Sequence, residues 1–178
     1  ISIWNKVLLM ATNLEFIKSA SGTSVSSLSV TDCFSDKYDV YFVSISKMDN
    51  SVASYTNGIR VINTSGVDTG SNYVVASLEL RANLAFQTRQ RNPYSQIDYV
   101  WYSNTTASQN IGHTFYVYNP FDSSSYTFFT SQNSGMNGSN GVGFKSIASH
   151  NVAEQITGLN FQSAGTWNTL DVSVYGVK

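Results

Sequence analysis

Short runs of β-branched and aromatic residues recur about every ten residues along this chain, and helical periodicity is almost absent. This spacing limits the possible folds more than any other feature of the sequence. Glycine, asparagine, aspartate and serine separate the runs, and the two prolines, Pro93 and Pro120, both stand in such turns. Many short strands at this spacing are typical of an antiparallel β-sandwich or barrel. The pattern therefore predicts an all-β protein.

Individual strands are predicted where the runs alternate or are continuously apolar. The last run alternates strictly, with Leu170, Val172 and Val174 on the inner face. The run at 38–46 is apolar on both faces, which favours a central strand, and 73–86 fits either a bulged strand or a strand followed by a helix. The predicted strands are 14–19, 25–31, 38–46, 58–63, 73–86, 97–102, 114–118, 126–131, 142–149, 156–162 and 170–175.

The length of 178 residues suits one domain, and no linker, repeat or shift in composition divides it. Eight strands make a jelly-roll, and the remaining runs would add edge hairpins. We therefore predict a jelly-roll-like antiparallel β-sandwich over residues 14–178, preceded by an arm or short helix over residues 1–13. The loops at 50–72, 88–110 and 132–141 are expected to face outward.

Composition and charge exclude several classes of protein. Only 12% of the residues are charged and the net charge is -1, without a cluster of lysine and arginine, which argues against nucleic acid as a partner. No run reaches the roughly 18 apolar residues of a membrane-spanning helix, so membrane insertion is not expected. Cys33 is the one cysteine, so an intrachain disulfide is impossible, and we interpret it as a small buried hydrophobic residue.

Catalytic and metal-binding patterns are weak. His113 and His150 lie far apart in sequence, without the spacing of a zinc site, and we interpret both as structural; no metal and no cofactor are expected. Glu79 and Glu154 are the candidates for a glycoside hydrolase, but no paired carboxylate accompanies them, and Glu79 is expected to face solvent. The prediction is a protein that is not an enzyme.

Sugar binding is the alternative that specific residues suggest. Aromatic rings stack on sugars and amide groups give directional hydrogen bonds, and the segment 94–110 is rich in both. The other interpretation is that these rings fill the core or a seam between subunits. The candidate glycan-binding residues are Tyr94, Tyr99, Trp101, Tyr102, Asn104 and Trp167.

Three stretches of the chain resemble a known family. They are residues 25–41 (VSSLSVTDCFSDKYDVY), residues 116–127 (YVYNPFDSSSYT), and the closing pair 156–161 (ITGLNF) and 170–178 (LDVSVYGVK). Their order, their spacing and the terminal YGVK resemble the small structural proteins of tailed bacteriophages, of the cyanophage type. Residues 55–73 match this family only in outline, and residues 88–110 hardly match it.

The resemblance implies a non-enzymatic virion structural protein with a jelly-roll-like β-sandwich. Such a protein would belong to a tail fibre, baseplate, neck or capsid decoration and would act in assembly and surface attachment. Its implied partners are two further copies in a homotrimer, other virion proteins and, as a further expectation, a host surface glycan. The alternative function is a lectin-like carbohydrate-binding module, free or at the tip of a receptor-binding protein.

Overall fold

The computed structural model describes residues 13–106 and 112–178, and in this part of the chain every regular element is a β-strand. All pairings between strands are antiparallel, so the predicted all-β, β-sandwich-like class is confirmed. The strands are β1 (Leu14–Gly22), β2 (Val25–Val30), β3 (Val40–Asn50), β4 (Gly58–Asn63), β5 (Gly66–Val67), β6 (Tyr73–Arg81), β7 (Gln87–Tyr94), β8 (Gly112–Tyr118), β9 (Thr127–Asn137), β10 (Asn140–His150) and β11 (Ile156–Val177).

The strands form one curled sheet. Its order is β5-β4-β11-β3-β8-β9-β10-β6-β7, and β1 and β2 also pair with β11. β3 lies between β11 and β8, which confirms that the run with two apolar faces is a central strand. Hairpins join β8 to β9, β9 to β10 and β6 to β7, so most neighbours in this half of the sheet are also near in sequence.

The long strand β11 holds the two ends of the fold together. Its first part lies between β2 and β4, and its second part, from Trp167 onward, lies between β1 and β3. The predicted strands 156–162 and 170–175 are therefore one strand of 22 residues. Gly158 is required on its first part, because a Cβ there would collide with the carbonyl oxygen of Val30.

The curl of the sheet encloses one hydrophobic core. Trp101, Trp167, Tyr41 and Phe115 are among its largest fully buried side chains. The predicted alternation at the end of the chain is confirmed, since Leu170, Val172 and Val174 are at most 1% exposed. Burying the apolar part of so many large side chains is the main favourable term in folding.

One predicted strand is wrong. Residues 97–102 form no strand, and two isolated bridges, Ser54–Ser103 and Ile59–Ile97, tie the surrounding segment to the chain near β4. Tyr99 has a φ of 56°, outside the β region. Ile97, Val100 and Trp101 are nevertheless buried. Aromatic and β-branched residues signal burial, and a buried irregular segment carries the same signal as a strand.

All three segments expected to be outward-facing loops contain strands, and β4 and β5 lie within the first of them, 50–72. β7 occupies 87–94, and residues 132–141 form the end of the β9–β10 hairpin, where Asn137 pairs with Asn140 across a turn at Gly138 with a φ of 62°. The segment 73–86 is strand β6 followed by a connection, without a helix. The arm or helix predicted over 1–13, apart from Asn13, and residues 107–110 of the predicted loop 88–110 lie outside the described residues.

Candidate functional site

The structure separates the six candidate glycan-binding residues into two groups. Trp101 and Trp167 are fully buried in the core, so neither indole offers a face to a sugar ring, and the interpretation that these two rings fill the core applies. Tyr94, Tyr99, Tyr102 and Asn104 are half-buried at the surface. The Asn104 amide donates to the carbonyl oxygen of Met136 at 3.2 Å, which joins its loop to β9.

Three of the surface tyrosines gather around two arginines of β7. The Arg91 guanidinium lies 4.6 Å from the ring centres of both Tyr94 and Tyr99 and donates to the Tyr99 hydroxyl at 2.8 Å. Arg89 lies over Tyr55 at 4.4 Å and over Tyr99 at 5.4 Å. We call these two arginines, with Tyr55, Tyr94, Tyr99 and Tyr102, the Arg–Tyr cluster. Three of its rings contact an arginine and the fourth, that of Tyr102, lies 4.6 Å from the Tyr55 ring, so stacking of a sugar on the first three would compete with these contacts.

Glu79 lies beneath the Arg–Tyr cluster and is fully buried, so the expectation that it faces solvent is wrong. Arg81 donates to one carboxylate oxygen at 2.7 Å, Arg89 donates to the other at 2.6 Å, and the Tyr55 hydroxyl lies 3.2 Å away. Burial alone would raise the pKa of Glu79, but the hydrogen bonds from the two arginines hold it below its ordinary value. Glu79 is therefore a buried anion that anchors β6 to β7.

Strand β6 alternates between buried and more exposed residues, and Glu79 is on its buried side. Glu79 shares its face with the buried residues Tyr73 and Val75, whereas Leu78 points to the outer surface and is 37% exposed. The parity with Tyr73 and Val75 was the sequence signal that could have placed Glu79 inside. Hydrophobicity alone does not identify the inner face of β6, because the outer surface of this sheet is also apolar.

Replacing Glu79 with alanine is expected to lower the free energy of unfolding by about 2–3 kcal/mol, because two arginines would remain without their anion. Their side chains are 18% and 24% exposed, which keeps the loss below that of a wholly buried pair. Urea denaturation measures the change. The control is Asp171→Ala, which removes an exposed contact with Lys47 at 3.9 Å. A Glu79→Ala loss no larger than the control's would contradict the anchoring role.

Asp98 is a second buried carboxylate beside the cluster. Burial raises its pKa to about 6, and Arg91, with Nε 3.6 Å from the carboxylate, offsets part of this rise. Neither carboxylate oxygen of Asp98 has a hydrogen-bond partner among the described residues. Glu79 and Asp98 thus differ in pKa because only Glu79 receives well-aligned hydrogen bonds.

The outer surface of the sheet carries a row of apolar side chains. Directly paired positions place Phe16, Tyr175, Phe42, Tyr116, Thr130, Ile147 and Ala76 side by side across β1, β11, β3, β8, β9, β10 and β6. Phe128, on the same side of β9, lies opposite Tyr118. We call these residues, with Tyr118 and Phe128, the aromatic face.

Neighbouring rings of the aromatic face contact one another. Ring centres are 5.7 Å apart for Phe16 and Tyr175, and 5.3 Å apart for Phe42 and Tyr116. The surface remains open to solvent: Ile147 is 63% exposed, Phe16 57% and Phe128 45%. Contiguous exposed apolar surface of this kind marks an interaction site in soluble proteins.

The part of the aromatic face on β6 to β10 borders a groove of about 700 Å³. Leu78, Tyr116 and Ile147 line it, and Arg89 and Lys145 are the charged residues at its wall. Arg89 is already paired with Glu79. The groove therefore presents an apolar floor with little charge, which suits another apolar surface better than a charged ligand.

A separate cluster at the other end of β10 has the composition of a metal site. The ligand atoms of Asp68, His150 and Glu154 lie within 4.8 Å of one another. No metal is predicted from the sequence, and the sequence does not reveal this group, because Asp68 is 82 residues before His150 and lies in the connection from β5 to β6. The spacing of His150 and Glu154, four residues apart, is too common to be a signal.

The remaining sequence candidates are structural. Cys33 is 2% exposed, and burial raises the pKa of its thiol to about 12, so the thiolate needed for nucleophilic chemistry is suppressed. His113 is 1% exposed and packs against Trp101. Within the described residues, the structure has no helix with the length and hydrophobicity to cross a membrane.

The fold and these surfaces define an antiparallel β-sandwich with an apolar outer face. No family model matches the chain, and neither the curated proteins nor the solved structures contain a match to it. The functional inference therefore rests on the chain's own residues and their geometry.

Proposed function

We propose that this chain is a non-enzymatic structural protein that assembles with further copies of itself through the aromatic face. The observation that carries the proposal is the register-aligned row of outward side chains across seven strands, which are aromatic or aliphatic except for Thr130 and exposed except for the half-buried Phe42 and Tyr175. A monomer would leave Ile147, Phe16 and Phe128 about half exposed or more. Burial of such residues between subunits supplies the hydrophobic free energy of association.

The size of the aromatic face fits an interface. Seven strands at a spacing of about 4.8 Å make it roughly 29 Å wide. The surface is about 14 Å high when the outward residues on either side of the row are included, among them the polar Thr114, Gln132 and Lys145. The projected area is then on the order of 400 Å², before protruding rings are counted. Stable interfaces bury about 800 Å² of accessible surface per partner, so this face would form a large part of one.

The chemistry of the face favours a second copy over a charged partner. Serine, threonine and aromatic side chains are complementary to themselves, whereas steering toward a different partner commonly uses charge. Lys145 is the one charged side chain that projects from the outer surface of β8, β9 and β10. With a net charge of -1 for the whole chain, copies of it repel one another little.

The resemblance to structural proteins of tailed phages extends the proposal to a virion, where the assembly would be a homotrimer of a fibre, neck or capsid decoration. The resemblance is carried by residues 25–41, 116–127, 156–161 and 170–178. Its further partners would be other virion proteins and a host surface glycan. The lectin-like alternative retains four of its six residues at the surface, among them Tyr94 and Tyr99, and it stays a prediction.

Replacing Ile147 with aspartate is expected to convert the assembled protein into monomers, because a carboxylate at the most exposed apolar position of the face would be desolvated on association. Light scattering of the purified chain measures the effect. The wild-type mass is expected near three times 19.5 kDa, and the variant mass near 19.5 kDa. Circular dichroism checks that the variant keeps its β-sheet, which the 63% exposure of Ile147 favours.

The matched control is Leu84→Asp. Leu84 is 55% exposed but lies in the connection between β6 and β7, away from the aromatic face, so this variant should keep the wild-type mass. A wild-type chain that is monomeric at all concentrations would overturn the proposal, as would an Ile147→Asp variant that assembles normally. If a monomeric wild-type chain bound host polysaccharide, the lectin-like alternative would replace the proposal of self-assembly.

A further inference from the structure

We propose that Asp68, His150 and Glu154 bind a divalent transition-metal cation of the Zn²⁺ type, which fastens three separate segments of the chain together. Asp68 lies in the connection between β5 and β6, His150 ends β10, and Glu154 lies in the connection between β10 and β11. This inference is independent of the aromatic face and of assembly, because it uses none of the same residues.

The ligand set fits such a cation. His150 offers the nitrogen Nε2, and the two acidic residues offer carboxylate oxygens, with all three ligand atoms within 4.8 Å of one another. Imidazole nitrogen combined with carboxylate oxygen suits zinc and its neighbours in the first transition row, whereas calcium and magnesium prefer oxygen alone. Three protein ligands leave a fourth position for water, as in many zinc sites.

The distances require only small movements. His150 Nε2 lies 2.6 Å from an oxygen of Asp68 and 3.7 Å from an oxygen of Glu154. Ligands in a tetrahedral zinc site, each about 2.0–2.1 Å from the metal, are about 3.3 Å apart. Relative to Nε2, the Asp68 oxygen would move outward and the Glu154 oxygen inward, each by less than about 1 Å, and the two carboxylate oxygens, which lie within 4.8 Å of each other, would approach by up to about 1.5 Å.

A hydrogen bond between His150 and Asp68 does not by itself account for Glu154. At 3.7 Å, the Glu154 oxygen is too far from Nε2 for a hydrogen bond, yet it faces the same nitrogen. Two carboxylates therefore lie beside one imidazole nitrogen, with the Asp68 oxygen at 2.6 Å and the Glu154 oxygen at 3.7 Å. A divalent cation would neutralise the charge of both.

The side chains that surround the ligands hold them in place. Asp68 accepts hydrogen bonds from the Gly70 amide at 2.7 Å and from the Asn72 side chain at 2.9 Å. Asn63 donates to both oxygens of Glu154, at 3.2 and 3.1 Å. Such partners of the ligating carboxylates orient them and strengthen metal binding.

His150 is fixed from the core side. Its side chain is fully buried, and its ring centre lies 5.0 Å from that of Tyr73, the residue that pairs with it across β6 and β10. Glu154, in contrast, is 28% exposed, so the cluster opens to solvent on its side. A cation could enter there while His150 provides a rigid ligand from within.

The test is a thermal unfolding measurement on the full chain after dialysis against a chelator. Added Zn²⁺, at about a hundred times its dissociation constant, is expected to raise Tm by about 5 °C or more. Asp68→Asn and Glu154→Gln keep the shape of the ligands and are expected to weaken Zn²⁺ binding at least about tenfold by titration calorimetry. Both residues are partly exposed, so both variants should fold.

The control variant is Asp36→Asn, an exposed carboxylate outside the cluster, which should bind Zn²⁺ like the wild type. Co²⁺ provides a second readout, because its visible absorption reports direct ligation and should be reduced in Glu154→Gln. The proposal is overturned if Zn²⁺ leaves Tm unchanged, if Asp68→Asn and Glu154→Gln bind it like the wild type, or if Ca²⁺ gives the same shift as Zn²⁺.

Discussion

Replacing Trp101 with alanine is expected to lower the free energy of unfolding by about 3–5 kcal/mol, the cost of a large cavity in a well-packed core. Trp101 is fully buried, and its ring packs edge-on against His113 with centres 4.8 Å apart. Urea denaturation followed by circular dichroism gives the free energy of unfolding.

Two comparisons make this result specific. Trp101→Phe keeps an aromatic ring and removes the indole nitrogen, which has no hydrogen-bond partner among the described residues, so its loss should be smaller. Tyr102→Ala, at a half-buried position, should also have less effect than Trp101→Ala. If Trp101→Ala cost less than about 1 kcal/mol, the ring would not be part of the core, and its candidacy for ligand binding would reopen.

Replacing His113 with leucine is expected to protect the protein against acid. Complete burial lowers the pKa of His113 from 6.5 to about 3, so the imidazole stays neutral in the folded protein while the unfolded chain takes up a proton. The pKa of His113 is lower in the folded protein than in the unfolded chain. The stability that the protein has with a neutral His113 is therefore fully present above pH 6.5 and is lost as the pH falls toward 3. The stability advantage of His113→Leu over the wild type should therefore grow by about 3 kcal/mol from about pH 7 to about pH 4.

The leucine variant removes no hydrogen bond, because neither ring nitrogen of His113 has a partner among the described residues. Urea denaturation at several pH values measures the difference between variant and wild type, in which the contributions of all other groups cancel. Asp98→Asn is the control with the opposite sign. Burial raises the pKa of Asp98 to about 6, so the stability of the Asp98→Asn variant relative to the wild type should decrease as the pH falls. Parallel pH profiles for His113→Leu and the wild type would refute the neutral, buried state of His113.

The sequence predicted most strands because their signal is local. Alternation placed Leu170, Val172 and Val174 on the inner face, and the turn residues Asn137 and Gly138 marked the hairpin between β9 and β10. The run with two apolar faces became the central strand β3. In each case, the residues that carry the pattern also form the structure, so no distant contact was needed.

The candidate sites could be predicted only in part, because they depend on which face of each strand is inside. Tyr94 and Tyr99 do meet, but they meet over Arg91, a contact that their sequence positions do not reveal. Glu79 was expected in solvent because no second carboxylate accompanies it in the sequence, and it is buried because the pairing of β6 with β7 brings Arg89 to it. The aromatic face is not recognisable in the sequence, because alternation does not show which surface of a sheet is covered when both surfaces are apolar.

The sequence by itself determined that this protein is built of antiparallel strands and that Leu170, Val172, Val174 and Cys33 are buried, because period, turn chemistry and hydrophobicity act over a few residues. Tertiary structure alone decided that β11 is continuous and that Glu79 is a buried anion. It alone brought Asp68 to His150 across 82 residues of chain. These features arise from the pairing of strands distant in sequence and from the curl of the sheet, and no local pattern records which strands become neighbours.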